Sequence, residues 1–291
     1  MNPHSPLVSA AQLRAALGRP GLVLLDASFD LSDPAAGERA FGLGHVPGAR
    51  YVHLENELSA PKRAPGPGFT GRHPLPERAA FAATVGRWGV APESCVVAMD
   101  RQDGAYAARL WWMLRWLGHA RVWVLDGGVP GWAAEGGALT DAATPPNVAR
   151  APYPLRRGAA LPTVTAGDVA RSLGRSALLD ARAGARFRGE VEPLDRVAGH
   201  IPGALNRFFK DNLDAATGRF KPAQQLAQEF GDLLGTTAAR AGEVVHLCGS
   251  GVTACHNLLA MAAAGLPAGS LYPGSWSEWS ADPARPVARG D

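Results

Sequence analysis

Apolar residues along the chain form short runs that alternate with longer segments of helical periodicity. Short runs of this kind are typical of buried strands, and apolar residues repeating every three or four positions are typical of helices. The predicted strands are 22–25, 95–99, 122–125, 177–179, 244–247 and 270–272. The predicted helices are 9–17, 76–88, 105–117, 165–173, 222–234 and 253–264. This alternation predicts an α/β fold with mainly parallel sheets flanked by helices.

The two halves of the chain repeat a set of short segments in the same order. The repeated segments are Leu-Leu-Asp-Ala at 24–27 and 178–181, Gly-His-x-Pro-Gly-Ala at 44–49 and 199–204, and a Gly/Trp pair at 127/132 and 274/279. A period this long indicates a duplicated domain rather than a solenoid. Proline density between the halves indicates a linker. We therefore predict an N-terminal domain at 1–140, a linker at 141–162 and a C-terminal domain at 163–291.

Composition narrows the class of protein. The chain is 46% hydrophobic and 19% charged, values typical of a globular protein. Its 29 basic and 26 acidic residues give a net charge of only +3 without a basic run, so no nucleic-acid partner is predicted. Three cysteines without paired spacing favour reduced thiols and a cytoplasmic location. Neither a signal peptide nor a membrane span is expected.

The most informative segment is Cys-Gly-Ser-Gly-Val-Thr at 248–253, which lies between a predicted strand and a predicted helix. Glycines at positions 249 and 251 allow the backbone to curl without Cβ clashes. Curled amides and a helix N-terminus form an anion cradle, which favours the thiolate of Cys248 over its thiol. The sequence therefore predicts that Cys248 is a nucleophile and that the loop residues Gly249, Gly251, Val252 and Thr253 bind its substrate.

The first half has an aspartate where the second half has this cysteine. Asp100 follows the predicted strand 95–99, as Cys248 follows 244–247. Ligands of parallel sheets bind beyond the carboxyl ends of the strands, so both positions face a ligand site. A carboxylate cannot carry sulfur, and we expect only the C-terminal domain to be catalytic.

These motifs resemble the two-domain rhodanese-like sulfurtransferases over nearly the whole chain. The resemblance is carried by both Gly-His-x-Pro-Gly-Ala segments, Leu-Asp-Gly-Gly at 125–128, Ser-Trp-Ser-Glu-Trp at 275–279 and the cysteine loop. The family's catalytic cysteine corresponds to Cys248. The resemblance implies a persulfide on this cysteine, formed from a small sulfur donor and passed to a thiol or cyanide. A thioredoxin-like reductant is a further candidate partner.

The same resemblance implies partners for the nucleophile. The loop resembles that of 3-mercaptopyruvate sulfurtransferases, whose loop serine belongs to a Ser-His-Asp-like set. The corresponding residues here are Ser250, His73 and Glu55, with glutamate in place of the usual aspartate. A histidine that is oriented by a carboxylate can move protons near neutral pH.

Arginine is the residue best suited to hold a donor carboxylate, because its guanidinium binds both oxygens at once. The first family arginine corresponds to Arg186, which precedes an aromatic residue. A second family arginine lies about nine residues later, where this chain departs from the pattern. Arg196 is the candidate for that second role, and Arg188 is another.

Three alternatives to mercaptopyruvate sulfur transfer remain. These alternatives are a thiosulfate-preferring rhodanese, a non-catalytic sulfur-relay module, and a cysteine phosphatase of similar fold. The phosphatase is disfavoured because the end of the cysteine loop lacks the arginine that grips phosphate. Neither a cofactor nor a metal is predicted, since the chain has no full nucleotide fingerprint and no metal-ligand spacing. All the sulfur-transfer hypotheses require that solvent reach the Cys248 sulfur.

Overall fold

The computed structural model describes residues 5–66, 68–144, 149–155, 157–235, 244–267 and 269–291. They form two compact units. The first contains the described residues of Met1–Ala60, Pro76–Leu161 and Asp214–Phe220, and the second those of Pro61–Leu75, Pro162–Leu213 and Lys221–Asp291. The domain limits predicted from the duplicated sequence, with domains at 1–140 and 163–291 and a linker at 141–162, stay a prediction. Residues 145–148 and 156 of the predicted linker lie outside the described residues.

The first unit is built on a parallel sheet. Its strands are β1 Leu7–Val8, β2 Leu22–Asp26, β3 Ala49–Tyr51, β4 Cys95–Met99 and β5 Val122–Leu125, in the order β1-β5-β4-β2-β3. Its helices are α1 Ala10–Arg14, α2 Ala36–Leu43, α3 Leu54–Glu57, α4 Arg78–Arg87, α5 Ala105–Leu117 and α6 Gly128–Ala134. Strand β4 is central, and α5 follows it directly. The loop from β4 to α5 therefore lies at the carboxyl edge of the sheet.

The second unit repeats this arrangement with a parallel sheet in the order β7-β6-β8-β9. Its strands are β6 Leu178–Asp180, β7 Ala204–Asn206, β8 Val245–Leu247 and β9 Ser270–Leu271. Its helices are α7 Ala166–Ser172, α8 Gly184–Phe187, a 3₁₀ helix at Phe209–Asn212, α9 Ala223–Leu234, α10 Ala254–Ala263 and α11 Ser275–Trp279. Strand β8 corresponds to β4, and α10 corresponds to α5.

The structure contains an element at every predicted strand and helix position, although most elements are a few residues shorter. The sequence patterns missed strands β1, β3 and β7, which have two or three residues. Such short segments lack a hydrophobic period of their own, and pairing with a neighbouring strand defines them. The short helices α3, α8 and α11 were missed because such short segments also lack a hydrophobic period of their own.

The two Gly-His-x-Pro-Gly turns have matching surroundings. The ring of His45 stacks on Phe41 at 3.9 Å, and the ring of His200 stacks on Phe187 at 3.8 Å. Nδ1 of each histidine lies 2.9 Å from the backbone oxygen of its stacked phenylalanine. Both histidines are buried. Because the arrangement recurs in the half without a cysteine nucleophile, its role is to shape the turn.

Candidate functional site

Cys248 directly follows β8, and neighbouring backbone and side-chain groups fix its position. Its N–H donates to Oγ of Ser275 at 3.1 Å, and its carbonyl oxygen accepts from the N–H of Trp276 at 3.0 Å. The carbonyl of Gly249 accepts from the N–H of Ser277 at 2.9 Å. The first residues of α11 thus hold the start of the cysteine loop, which gives the Ser-Trp-Ser-Glu-Trp segment its local role.

Close packing accounts for the glycines of this loop. Gly251 has φ +74°, in the left-handed region, and a Cβ there would lie 2.4 Å from the carbonyl oxygen of Pro273. A Cβ on Gly249 would lie 3.1 Å from Nη2 of Arg72 and 3.4 Å from Nη1 of Arg186. Two guanidinium groups therefore lie against the residue that follows the candidate nucleophile.

The rest of the loop leads into α10. Val252 is buried, and Thr253 is the residue immediately before the first residue of that helix. The loop therefore ends at a helix N-terminus, where the helix dipole favours a negative charge. The assignment of Val252 and Thr253 to substrate binding stays a prediction.

The accessible sulfur that the sequence hypotheses require is not present in this conformation. Cys248 is only 2% exposed. The expectation of an open thiol is therefore wrong here, because the loop is packed beneath α11 and the guanidinium groups beside Gly249. A donor would reach the sulfur only if neighbouring side chains moved; those of Arg72 and Arg186, beside Gly249, are 23% and 18% exposed.

Ser250 and His73 come together although they are far apart in the sequence. Oγ of Ser250 lies 2.8 Å from Nδ1 of His73, and both side chains are buried. Both residues belong to the second unit. A hydroxyl and an imidazole at hydrogen-bond distance can exchange a proton with a group bound beside them. Two of the three residues of the predicted set thus form a pair.

Glu55, the third member of the predicted set, belongs to the first unit. It lies in helix α3, where its N–H donates to Nδ1 of His53 at 3.1 Å. Nδ1 of His53 also accepts from the N–H of Asn56 and so caps the helix. Helix capping explains this local geometry, and a role for Glu55 beside His73 stays a prediction.

The three candidate arginines have different surroundings. Arg186 lies in α8 and pairs with Glu192 at 2.6 Å, and its Nη2 is 3.5 Å from Asp195. Arg196 lines a cavity of about 410 Å³ in the second unit. Arg188 forms an exposed pair with Glu190 at 2.6 Å. Of the three, Arg186 is the one that reaches Gly249.

Sequence reasoning missed two charged residues of this site. Arg72 precedes His73, and its guanidinium contacts the Asp195 carboxylate as well as the position beside Gly249. Its backbone N–H donates to Oγ of Ser277 at 3.1 Å. The available signal for Arg72 was its place next to a candidate histidine. Asp195 gave no signal beyond the interruption of the family pattern.

The loop that follows β4 binds the carboxylate of Asp100 through backbone N–H groups. Each carboxylate oxygen of Asp100 accepts two backbone N–H bonds of 2.8–2.9 Å. The four donors are the N–H groups of Gln102, Gly104, Tyr106 and Ala107. Burial raises the pKa of the Asp100 carboxyl, and these four donors oppose the rise. The first half thus contains an anion cradle that is filled by its own side chain.

The described part of the chain holds no group of three or more His, Cys, Asp or Glu side chains arranged to bind a metal ion. Within the same residues, no helix has the length and apolar character that crossing a bilayer requires. The arrangement is thus defined by one thiol, a Ser-His pair and clustered guanidinium groups. These groups and the duplicated parallel sheets define a class of α/β proteins with a candidate site centred on a cysteine.

Comparison with known proteins identifies the family. The rhodanese-like domain family matches residues 9–135 and 165–282. The chain is 49% identical over 288 residues to a probable 3-mercaptopyruvate sulfurtransferase of Pseudomonas aeruginosa, covering 98% of both chains. It is 41% identical over 299 residues to a putative thiosulfate sulfurtransferase of Mycobacterium tuberculosis, covering 98% of this chain and 97% of that one. A 3-mercaptopyruvate sulfurtransferase structure from Leishmania major matches with a TM-score of 0.82 and 27% identity, over 96% of this chain and 75% of that one.

The chain therefore belongs to the rhodanese-like domain family, with two copies of the domain. The predicted resemblance to two-domain sulfurtransferases is confirmed, as are the duplicated α/β fold and the sulfurtransferase enzyme class.

Proposed function

We propose that the protein moves a sulfane sulfur from 3-mercaptopyruvate to a thiol or cyanide through a persulfide on Cys248. The observation that carries this proposal is the position of Cys248 at the carboxyl end of β8, with the guanidinium groups of Arg72 and Arg186 against Gly249. The thiolate is the reactive form of cysteine, and guanidinium groups beside Gly249 can bind the anionic part of a donor.

The Asp100 loop supports this assignment of Cys248. It occupies the corresponding place after the central strand of its sheet, and there it holds a carboxylate with four backbone N–H groups. An anion therefore occupies the carboxyl end of the central strand in the first half. By analogy, we assign the same position of the second half to the reacting sulfur of Cys248.

With mercaptopyruvate, the Cys248 thiolate attacks the donor sulfur and the bond between that sulfur and carbon breaks. The electron pair stays on carbon, which takes up one proton and becomes the methyl group of pyruvate. The sulfur is oxidised to the sulfane level while the carbon is reduced, so the half-reaction needs no outside oxidant. We assign the proton transfer to Ser250 and His73, which are 2.8 Å apart, with Glu55 as the predicted orienting acid.

Arg186 is the proposed ligand of the donor carboxylate, because its guanidinium can bind two oxygens and lies beside Gly249. Arg196 is proposed to guide the donor through the cavity that it lines. The acceptor then attacks the outer sulfur of the persulfide and restores the Cys248 thiolate. A thioredoxin-like reductant is a proposed acceptor, and the proposed location is the cytoplasm, where thiols stay reduced.

Thiosulfate is the second candidate donor. The Mycobacterium tuberculosis relative is named a putative thiosulfate sulfurtransferase, whereas the Pseudomonas aeruginosa relative is named for mercaptopyruvate. Attack of the thiolate on the outer sulfur of thiosulfate releases sulfite and requires no proton. The Ser250–His73 pair would have no task in that reaction, and this favours mercaptopyruvate.

The test of the proposed function is mass spectrometry of the intact protein after exposure to mercaptopyruvate. We expect the mass of one sulfur atom on Cys248, and we expect Cys248→Ser to lose both this adduct and turnover. Cys95→Ser and Cys255→Ser are the matched controls and should keep both. An unmodified Cys248, or an active Cys248→Ser variant, would contradict the proposal. Adduct formation without turnover of small acceptors would instead support a sulfur-relay module.

A further inference from the structure

The two guanidinium groups beside the nucleophile belong to a charged cluster that is already neutral. The cluster consists of three arginines and three carboxylates of the second unit: Arg72, Arg182, Arg186, Asp180, Glu192 and Asp195. Ion pairs link its members into one chain of contacts. The six charges of the cluster therefore cancel, although Arg72 and Arg186 remain partly exposed beside Gly249.

Within this cluster, two of the carboxylates have structural positions. Asp180 pairs with Arg182 at 2.6 Å, and the side chains of both are essentially unexposed. Glu192 accepts from Arg186 and from the backbone N–H groups of Leu194 and Asp195, and it thereby shapes the turn at 192–195. Neither carboxylate can leave without disrupting buried structure.

Asp195 is placed differently. Its carboxylate contacts Arg72 through one oxygen, and the other oxygen lies 3.5 Å from Nη2 of Arg186. It therefore bridges the two guanidinium groups that reach Gly249. Asp195 also lines the cavity of about 410 Å³, together with Arg72, Arg196 and Ser277. Its side chain is 8% exposed.

The bridging position is the one that a donor anion would take. A donor whose sulfur reaches Cys248 brings its charged group near Gly249, where Arg72 and Arg186 are the guanidinium groups in reach. Both are already paired with Asp195. Burial and the neighbouring Glu192 raise the pKa of the Asp195 carboxyl, and Arg72 and Arg186 oppose this rise.

We propose that Asp195 is a specificity-determining residue. Its carboxylate occupies the position between the two guanidinium groups that the donor anion would take, and it thereby selects donors of low negative charge. This inference rests on the proposed function, since it concerns the donor of the same reaction. A monoanionic thiol acid such as mercaptopyruvate exchanges its one carboxylate for that of Asp195. Dianionic thiosulfate brings two charges to a neutral cluster, and Asp195 repels it more strongly.

The variant Asp195→Asn tests this inference, because it leaves the cluster with one net positive charge and nearly the same shape. We expect the KM for thiosulfate to fall about tenfold, the factor that ~1.4 kcal/mol represents. The KM for mercaptopyruvate should fall about threefold, since one charge rather than two is relieved. Steady-state rates with both donors, measured over a range of concentrations at fixed ionic strength, provide the comparison.

Two variants separate the specific effect from a general change of charge. Glu190→Gln also removes one negative charge, from the exposed pair with Arg188, and both KM values should stay at the wild-type level. Asp195→Glu keeps the charge and should keep the wild-type ratio of the two KM values. If Asp195→Asn does not fold, as judged by circular dichroism, Asp195→Ser carries the same test.

An unchanged ratio of the two KM values in a folded, charge-neutral variant at position 195 would overturn the inference. So would an equal shift in Glu190→Gln. Persulfide formation on Cys248 of the wild-type protein is measured in parallel. If the wild-type protein forms no persulfide, the proposed function fails; if it does and the ratio stays fixed, only the role of Asp195 fails.

Discussion

In the proposed reaction, the pair formed by Ser250 and His73 would be needed for one donor and not for the other, because only one donor requires a proton. Cleavage of mercaptopyruvate leaves an electron pair on carbon that must be protonated, whereas cleavage of thiosulfate releases sulfite directly. The 2.8 Å contact places a proton carrier within the buried site. Its value to the enzyme should therefore depend on which donor is bound.

Replacing Ser250 by alanine tests this dependence. We expect kcat with mercaptopyruvate to fall about a hundredfold, a usual contribution of positioned acid–base groups, while kcat with thiosulfate changes less than about twofold. Steady-state assays with the two donors measure both values. Ser172→Ala is a suitable control, because that hydroxyl bonds to Val169 of its own helix. Equal losses with both donors would contradict a proton-transfer role.

At the residue scale, the sequence identified Cys248, Ser250, His73 and Arg186 through the family resemblance, and the structure places them in one unit. It did not identify Arg72 and Asp195. Their contact depends on the packing of segment 61–75 within that unit, which no local hydrophobic period encodes. The burial of Cys248 was also unpredictable, because it depends on packing against distant segments such as α11 rather than on the loop sequence.

At the scale of elements, the loops that follow β4 and β8 occupy equivalent positions, because each connects a strand to the helix that follows it. The residue that precedes α5 is four positions after Asp100, and the residue that precedes α10 is five positions after Cys248. The shorter loop turns its N–H groups onto a carboxylate of its own chain. The longer loop contains Ser250, which contacts His73, and Gly251, which allows the close approach to Pro273.

The buried Asp100 carboxylate should be important for stability. We expect Asp100→Asn to lower the free energy of unfolding by about 3 kcal/mol, because its amide N–H₂ would face backbone N–H donors. Urea denaturation at neutral pH measures this change. Asp141→Asn, at an exposed position, should differ from the wild-type protein by less than about 0.5 kcal/mol. A loss in Asp100→Asn no larger than in this control would show that the four bonds contribute little.

The sequence predicted the longer elements because burial gives them a clear period. Helix α9 buries Leu226, Phe230 and Leu234, which are four positions apart, and β4 is an apolar run. Strands β3 and β7 are defined instead by pairing with β2 and β6, so their sequences alone did not indicate them. Helices and strands were therefore predictable where they have their own hydrophobic pattern, and they were not predictable where pairing with a neighbouring strand defines them.

For the whole molecule, buried titratable groups couple folding to pH. His119 lies within hydrogen-bond distance of the Tyr153 hydroxyl and the Arg121 carbonyl, at 3.2 Å each. Burial lowers the pKa of His119 from 6.5 to about 4. Between these values the unfolded chain binds a proton at His119 that the folded chain does not. The contribution of this residue to stability therefore declines as the pH falls from 6.5 toward 4.

The variant His119→Gln should remove this part of the pH dependence. We expect the wild-type protein to lose about 2 kcal/mol more than the variant when the pH is lowered from about 7 to about 4.5. Urea denaturation of both proteins across this range measures the difference. Above about pH 7.5 the gap between the two proteins should be constant, which serves as the internal control. Parallel pH profiles over the whole range would contradict the assignment.

The duplicated architecture was the most predictable feature of the whole molecule. Repeated segments such as Gly-His-x-Pro-Gly-Ala identified it, and their matching ring stacks, His45 on Phe41 and His200 on Phe187, explain why they repeat. The assignment of segments 61–75 and 214–220 to the two units was not predictable. It arises from packing between distant parts of the chain, which sequence patterns do not record.

The Asp100 cradle implies an opposition between affinity and turnover. An anion tethered by its own backbone never departs, so the first loop can bind it with four short bonds and serve only stability. A loop that binds a transferable sulfur in every catalytic cycle cannot bind it as tightly, because the outer sulfur of a persulfide held that tightly would not be passed to the acceptor. Strengthening the second loop until it matched the first would therefore give a more durable protein and a slower catalyst.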